Sequence, residues 1–198
     1  MWQHLRNRQR GMTLVETLVA ASLSLLLFFW SVRWLMPMMS LQARGLERAE
    51  LQHQTTRALS LLRSDLLTSN PAGIRAVQST QEVVVAIQPL GPVSADGNLS
   101  WSPTMVLYCY DPVQKTILRR HWQAPADTSL RKPIQMSDDQ LLGLVPQARL
   151  DRVVAANVFH FSVEGQTLPL RVEVGLGSRL DSSRYCVAET FGPRTPTR

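Results

Sequence analysis

The 198-residue sequence is long enough for one domain of ordinary size and a short additional element, and its hydrophobic share of 44% allows a real core. This composition excludes a chain that is disordered throughout. The formal net charge is +6, but Arg6, Arg8 and Arg10 contribute to it before any acidic residue occurs. Because the remaining basic residues form no dense cluster, we do not expect direct binding of nucleic acid.

The first predicted element is an apolar helix. From Met12 to Val32 the only charged residue is Glu16. A helix over this run would be about 31 Å long, which matches the hydrocarbon thickness of a bilayer. The segment is therefore predicted to span a membrane. The basic residues that precede it should stay in the cytoplasm, so the long C-terminal part should be translocated.

Two simple interpretations of this segment fit poorly. A secretory signal peptide also has a basic start and an apolar stretch, but this run is too long, and its far end from Trp30 to Trp34 has no A-x-A cleavage site. A plain membrane anchor explains the length and the flanking arginines. It does not explain Glu16, because an ionised carboxylate is costly in hydrocarbon and usually has a partner.

The stretch from Arg10 to Glu16 reads R-G-M-T-L-V-E and is followed by the apolar helix. This arrangement resembles the class III signal of type IV pilins and type II secretion pseudopilins. The resemblance implies that a prepilin peptidase cuts between Gly11 and Met12 and methylates the new terminus at Met12. Residues 1–11 would then be a leader. Met12 stands where phenylalanine is most common in the family, but it keeps the position hydrophobic.

The resemblance also gives Glu16 a role. Cleavage would create a positive amine at Met12, and Glu16 of an adjacent subunit could pair with it. Opposite charges attract strongly in a low dielectric, which offsets much of their desolvation cost. Glu16 is therefore interpreted as a residue that sets the register of subunit assembly.

The helix is predicted to continue past the membrane segment, residues 12–33, through residues 34–69. Pro37 and Gly45 are predicted to be kinks or melted points, and Asn70-Pro71-Ala72-Gly73 should end the helix. Apolar residues recur at spacings of three and four in its second half, which should therefore pack against a globular domain. These residues are Leu51, Thr55, Ala58, Leu59, Leu62 and Leu66.

Residues 70–191 are predicted to form a β-rich domain, because β-branched and aromatic residues are concentrated in several short segments. Turn signals at Asp111-Pro112 and at Glu164-Gly165-Gln166 should close two hairpins. The predicted strands are Glu82–Gln88, Thr104–Tyr110, Thr116–Trp122, Asn157–Val163, Leu168–Leu176 and Arg184–Glu189.

The remaining segments of this domain are interpreted as connections. Residues 89–103 and 124–139 are predicted to be loops, and residues 192–198 a flexible tail. An antiparallel sheet packed on the second half of the helix is an α+β arrangement. The resemblance implies the pilin fold, with the helix as its spine.

The two cysteines, Cys109 and Cys186, lie far apart in the sequence. One disulfide and two free thiols both remain open, since an even number of cysteines in an exported domain is compatible with a bond. A disulfide would join two strands and stabilise the fold by a few kcal/mol in the chain-entropy model.

No motif in the sequence carries catalytic chemistry. No two histidines have the spacing of metal ligands, and Asp96 and Asp138-Asp139 are interpreted as solvated acidic turns rather than a calcium site. Nucleotide-binding and hydrolase signatures are missing as well. We therefore expect no enzyme activity, no cofactor and no metal. The histidines are His4, His53, His121 and His160.

These features predict a structural assembly protein, a minor pilin or pseudopilin that initiates or caps a filament. The order of segments in the body is similar to that of J-type minor pseudopilins and related minor pilins. Expected partners are the prepilin peptidase, other minor and major pilins or pseudopilins, and the inner-membrane assembly platform. The protein should cross the inner membrane once, with the leader cytoplasmic and the C-terminal domain extracytoplasmic.

Several alternatives stay open. The signal and the spine are shared by type II secretion, type IV pilus and competence systems, so the sequence does not separate them. A membrane-tethered binding module at a pilus tip, for DNA uptake or adhesion, is the alternative function. An anchored enzyme would need a pocket with convergent polar groups, which the sequence does not identify.

Overall fold

A long helix and antiparallel sheets make up the fold in a computed structural model, which describes residues 13–79, 82–93, 99–125, 131–178 and 184–192. This architecture confirms the predicted α+β, pilin-like class. Gly11, Met12, Asp96 and the tail from Pro193 onward lie outside the described residues.

The helix α1 spans Leu14–Leu67, as the sequence predicted. It is not melted at Pro37 or at Gly45, because both residues lie inside its helical span. The chain nevertheless separates into two units, one ending at Gly45 and the other beginning at Leu46. The buried residues of α1 all belong to the second unit and match the predicted apolar stripe: Leu51, Thr55, Ala58, Leu59, Leu62 and Leu66.

The end of α1 follows the predicted stop signal. A 3-10 turn at Pro71–Gly73 replaces the helix, and the side chain of Asn70 accepts a hydrogen bond from the backbone N–H of Ala72 at 2.9 Å. Proline cannot continue the helix because its ring removes the N–H and clashes with the preceding turn.

The largest sheet has five antiparallel strands in the order β1-β2-β5-β6-β7. Its central strands are those with the strongest β composition. The strands are β1 (Ile74–Gln78), β2 (Val83–Ile87), β5 (Thr104–Asp111), β6 (Thr116–Gln123) and β7 (Arg149–Ala156).

Two smaller sheets complete the domain. A three-stranded sheet has the order β10-β9-β8, and a two-stranded sheet pairs β3 with β4. A short helix, α2, lies between β6 and β7 in the sequence. The bounds are β3 (Leu90–Val93), β4 (Leu99–Trp101), α2 (Asp138–Leu144), β8 (Val158–Glu164), β9 (Leu170–Gly177) and β10 (Arg184–Phe191).

Both predicted hairpins are confirmed. Strands β5 and β6 pair across a turn in which the Asp111 carboxylate accepts hydrogen bonds from the N–H groups of Val113 and Gln114. Side-chain acceptance of this kind is a standard way to fix a turn. Strands β8 and β9 pair across a turn that contains Gly165, whose φ of 101° is a conformation that suits glycine.

The buried side chains form two clusters, one on each face of the five-stranded sheet. The main cluster joins the second half of α1 to both larger sheets and includes Leu62, Tyr108 and Val174. The second cluster lies on the opposite face, includes Leu107, and is covered by Leu141 of α2. Alternation along β5 explains this division, because successive residues of a strand point to opposite faces.

Some elements of the domain were not predicted. The two segments interpreted as loops contain regular structure, since β3 and β4 lie in the first and α2 begins at the end of the second. Strands β1 and β7 were also missed. Asp138 and Asp139 therefore begin a helix rather than a solvated turn, and Ser137 with Gln140 forms a capping box that fixes this start.

Candidate assembly site

The start of α1 is held by a reciprocal pair of hydrogen bonds between Thr13 and Glu16. The backbone N–H of Thr13 donates to Glu16 Oε2 at 2.9 Å, and the N–H of Glu16 donates to Thr13 Oγ1 at 3.3 Å. This is a capping box, which satisfies two N–H groups that have no partner inside the helix. Glu16 itself is exposed on the helix surface.

The hydroxyl groups that follow Glu16 in the apolar part of α1 bond to carbonyl oxygens of their own helix. Thr17 donates to Leu14 at 2.8 Å, and Ser24 donates to Ala20 at 2.8 Å. Such bonds let a polar side chain enter hydrocarbon without an unsatisfied group. The carboxylate of Glu16 accepts hydrogen bonds from Thr13, and no ion pair to it occurs among the described residues.

A second polar site lies where α1 contacts the five-stranded sheet. The carboxylate of Asp65, on α1, accepts hydrogen bonds from the Tyr108 hydroxyl at 2.6 Å and from Arg119 Nε at 2.8 Å. Arg119 Nη2 also reaches the other oxygen of Asp65 at 3.1 Å. The pair is largely buried, with side-chain exposures of 17% for Asp65 and 13% for Arg119. Two parallel bonds of this kind fix geometry as well as charge.

The site extends to β7. Arg119 Nη1 donates to Asp151 Oδ2 at 2.5 Å, and it lies 2.5 Å from His121 Nε2. Asp151 also accepts from Arg152 Nε at 3.0 Å. We call these residues, Asp65, Tyr108, Arg119, His121, Asp151 and Arg152, the Asp65 network.

A β-bulge in β7 explains how Asp151 reaches Arg119. The pairing of β6 with β7 passes from Arg119 opposite Arg152 to Arg120 opposite Leu150, which leaves Asp151 as an extra residue. A bulge re-aims the side chain of its extra residue. The insertion therefore supplies a carboxylate that binds both Arg119 and Arg152, which lie opposite each other on the paired strands.

The network shifts the pKa values of Arg119, Tyr108 and Asp151. The Asp65 carboxylate raises the pKa of Arg119, and burial together with the bond to Asp65 raises the pKa of Tyr108. The hydrogen bond from Arg119 lowers the pKa of Asp151. The Arg119 guanidinium and the Asp151 carboxylate thus stay charged over the physiological range, and the network connects α1 with three strands of the sheet.

Comparison with known proteins addresses the start of the chain. Residues 6–30 match the family model of the prokaryotic N-terminal methylation motif. This match supports the resemblance of the chain to type IV pilins and pseudopilins, which carry this signal. No curated protein and no solved structure matches the chain.

The matched signal has consequences for processing and assembly. The signal implies processing by a prepilin peptidase and assembly with other pilins. Pilins are structural rather than catalytic proteins. The helix α1 contains a stretch that is long and apolar enough to cross a membrane, with a mean hydropathy of 1.8. The signal and this helix fit a pilin anchored in the inner membrane.

Cys109 and Cys186 are both free thiols in the structure, the first buried and the second exposed. Cys109 lies in the second cluster, whereas Tyr185 and Val187 of β10 pack on the main cluster and leave Cys186 exposed on the outer face. The main cluster therefore separates the two thiols. Burial raises the pKa of Cys109 to about 12, so this thiol stays protonated.

The histidines in the described part of the chain do not converge on one point. His160 is exposed on β8, and His121 belongs to the Asp65 network. Asp138 pairs with Arg75 at 2.6 Å. Sequence reasoning did not predict the Asp65 network, because its members come from distant positions and meet only in the folded domain.

Proposed function

We propose that the chain is a minor pilin or pseudopilin that helps to start or cap a type II secretion pseudopilus or a type IV pilus. The observation that carries this proposal is the methylation motif over residues 6–30, followed directly by the apolar part of α1. In this proposal the prepilin peptidase cuts between Gly11 and Met12 and methylates the amine of Met12. The mature chain then joins other subunits at the inner-membrane assembly platform.

The charges near the start of α1 support a role in assembly. Arg6, Arg8 and Arg10 favour a cytoplasmic leader and an extracytoplasmic C-terminal domain. After cleavage, the amine of Met12 and the carboxylate of Glu16 carry opposite charges in an apolar environment. Pairing between adjacent subunits offsets the desolvation of both groups, and it favours one axial position of one helix against the next.

The Asp65 network supports the same function at the other end of α1. In a filament subunit, the globular domain must keep a fixed orientation relative to the helix that packs against it. Asp65 is bonded to side chains of β5 and β6, and Arg119 passes the connection on to β7. Because these bonds are largely buried, they hold the domain in a fixed orientation on the second half of the helix.

The decisive experiment measures the mass of the intact protein after extraction from membranes. We expect a chain that starts at Met12 and carries one added methyl group. The matched control is Gly11→Leu, which should remain at full length because the peptidase site is blocked by a bulky side chain. A wild-type chain that starts at Met1, or at any residue other than Met12, would overturn the proposal.

A further inference from the structure

The outer edge of β7 is the least covered edge of the five-stranded sheet. Strand β7 is the last in the order, and among residues 13–79, 82–93, 99–125, 131–178 and 184–192 no strand pairs with its outer side. At the opposite end of the sheet, the N–H of Ala76 in β1 donates to the carbonyl of Gln166 at 2.9 Å. An uncovered edge presents N–H and C=O groups that can accept another strand.

The side chains of β7 along this edge are basic on one face of the sheet and apolar on the other. Arg149 and Arg152 lie opposite His121 and Arg119, so they share the face that carries the Asp65 network. Directly opposed residues of paired strands point to the same side of a sheet. The edge therefore has a basic face on the side of α1.

The other face of the edge is apolar. Leu150 lies opposite Arg120, and Val153 lies opposite Leu118. These two β7 side chains are 49% and 54% exposed, respectively. They lie on the face of the second cluster, beside Arg120, whose guanidinium donates to the carbonyl of Ala148 at 3.1 Å. Both are in contact with solvent, on a domain whose other large apolar side chains are mostly buried.

The basic face carries more positive charge than its own acids neutralise. Asp65 and Asp151 both bind Arg119, and Arg152 shares Asp151. Arg149 is exposed and makes no ion pair within the part of the chain that the structure describes. It lines a depression of about 350 Å³ together with His121, Leu150 and Asp151, which is room for an incoming carboxylate.

We propose that the outer edge of β7 binds an extended segment of another protein, whose side chains are acidic on one face and apolar on the other. The segment adds a sixth strand to the sheet. Backbone hydrogen bonds to β7 supply affinity, carboxylates on the segment pair with Arg149 and Arg152, and apolar side chains cover Leu150 and Val153. This inference goes beyond the proposed function and does not depend on leader cleavage.

The test uses the full chain in detergent micelles and short fluorescent peptides, with binding measured by fluorescence anisotropy. We expect a peptide that alternates glutamate and valine to bind. A peptide of the same composition with its glutamates in one block and its valines in another should bind about tenfold more weakly or worse, since it cannot match both faces. A peptide that alternates lysine and valine should not bind.

Two controls locate the site and the mode of binding. Arg149→Glu should weaken binding of the glutamate and valine peptide by about tenfold and favour the lysine peptide, whereas Arg57→Glu, the same charge change on exposed α1 surface, should leave both unchanged. N-methylation of alternate residues along one edge of the peptide should abolish binding, because the methylated N–H groups cannot pair. The proposal would be overturned if the alternating glutamate and valine peptide failed to bind, or if the block peptide or the N-methylated peptide bound as tightly as it does. Equal binding of the alternating peptide to Arg149→Glu and to Arg57→Glu would also overturn it.

Discussion

Asp65 shows how one side chain can link the spine to the sheet. It accepts bonds from Tyr108 and Arg119, whose side chains come from two different strands. Removing the charge would leave the Arg119 guanidinium largely buried and without its bidentate partner, and loss of one member of such a pair costs more than the pair contributes. Asp138 provides a contrast, since its bond to Arg75 lies at a half-exposed position.

At the residue scale we therefore predict that Asp65→Asn lowers the free energy of unfolding by about 2 to 3 kcal/mol. Asp138→Asn, the matched control, should lower it by no more than about 1 kcal/mol, because exposed ion pairs contribute little. Urea denaturation of the full chain in detergent, followed by tryptophan fluorescence, measures both values. Equal losses in the two variants would contradict a special role for Asp65.

At the scale of elements, the junction between the end of α1 and the two-stranded sheet depends on close packing at Gly73. A Cβ atom at this residue would lie 2.2 Å from Cζ3 of Trp101 and 2.8 Å from the carbonyl oxygen of Gln88. Trp101 is buried, so its ring has little room to move away. The 3-10 turn and β4 approach each other this closely because no side chain intervenes.

Gly73→Ala should therefore destabilise the protein by about 1 to 3 kcal/mol, the usual cost of forcing an atom into a packed site. Gly143→Ala is the matched substitution in α2, where a Cβ would meet nothing within 4 Å. Alanine should stabilise that helix by about 0.5 to 1 kcal/mol, since it is the better helix former. The two variants should shift the urea midpoint in opposite directions, and a shift in the same direction would refute this explanation.

The elements that sequence reasoning identified are those with a strong local signal. The helix α1 and strands β2, β5, β6, β8, β9 and β10 follow apolar periodicity or β composition, and their predicted bounds lie close to those of the structure. Strand β7 was missed because its two bulges interrupt the alternation of apolar and polar residues. Helix α2 has only 7 residues, and its capping box, Ser137 with Gln140, was the available signal.

The candidate sites also differ in whether the sequence gives a local signal for them. Glu16 was identifiable because a charge within an apolar run violates a local rule. The Asp65 network violates no local rule, since Asp65 lies on a polar position of an amphipathic helix and Arg119 lies on a strand with other basic residues. Their contact depends on the register of β6 with β7 and on the packing of α1, which the sequence pattern does not specify. The separation of Cys109 from Cys186 depends on the same tertiary information.

At the scale of the whole molecule, the buried part of α1 and its exposed apolar part belong to different units. The residues of α1 that pack in the domain begin at Leu51, whereas the large apolar side chains from Leu14 to Leu41, apart from the half-buried Val32, are exposed. A surface of this size is stable only when lipid or other subunits cover it. The first unit is therefore suited to contacts between molecules, and the second to a fold of its own.

Glu16 is the charged group at the start of that exposed apolar surface, and we propose that it acts in assembly rather than in folding of the domain. We predict that Glu16→Gln and Glu16→Val are processed and inserted like the wild type but co-purify with partner pilins on the order of tenfold less, because the amine of the neighbouring Met12 loses its counter-charge in an apolar setting. Ser22→Ala is the matched control, since the Ser22 hydroxyl bonds to its own helix at Leu18 and Val19. Quantitative mass spectrometry of the purified complexes measures the effect. Unchanged recovery of partners with both Glu16 variants, or an equal loss with Ser22→Ala, would show that the carboxylate does not select the position of the helix among its neighbours.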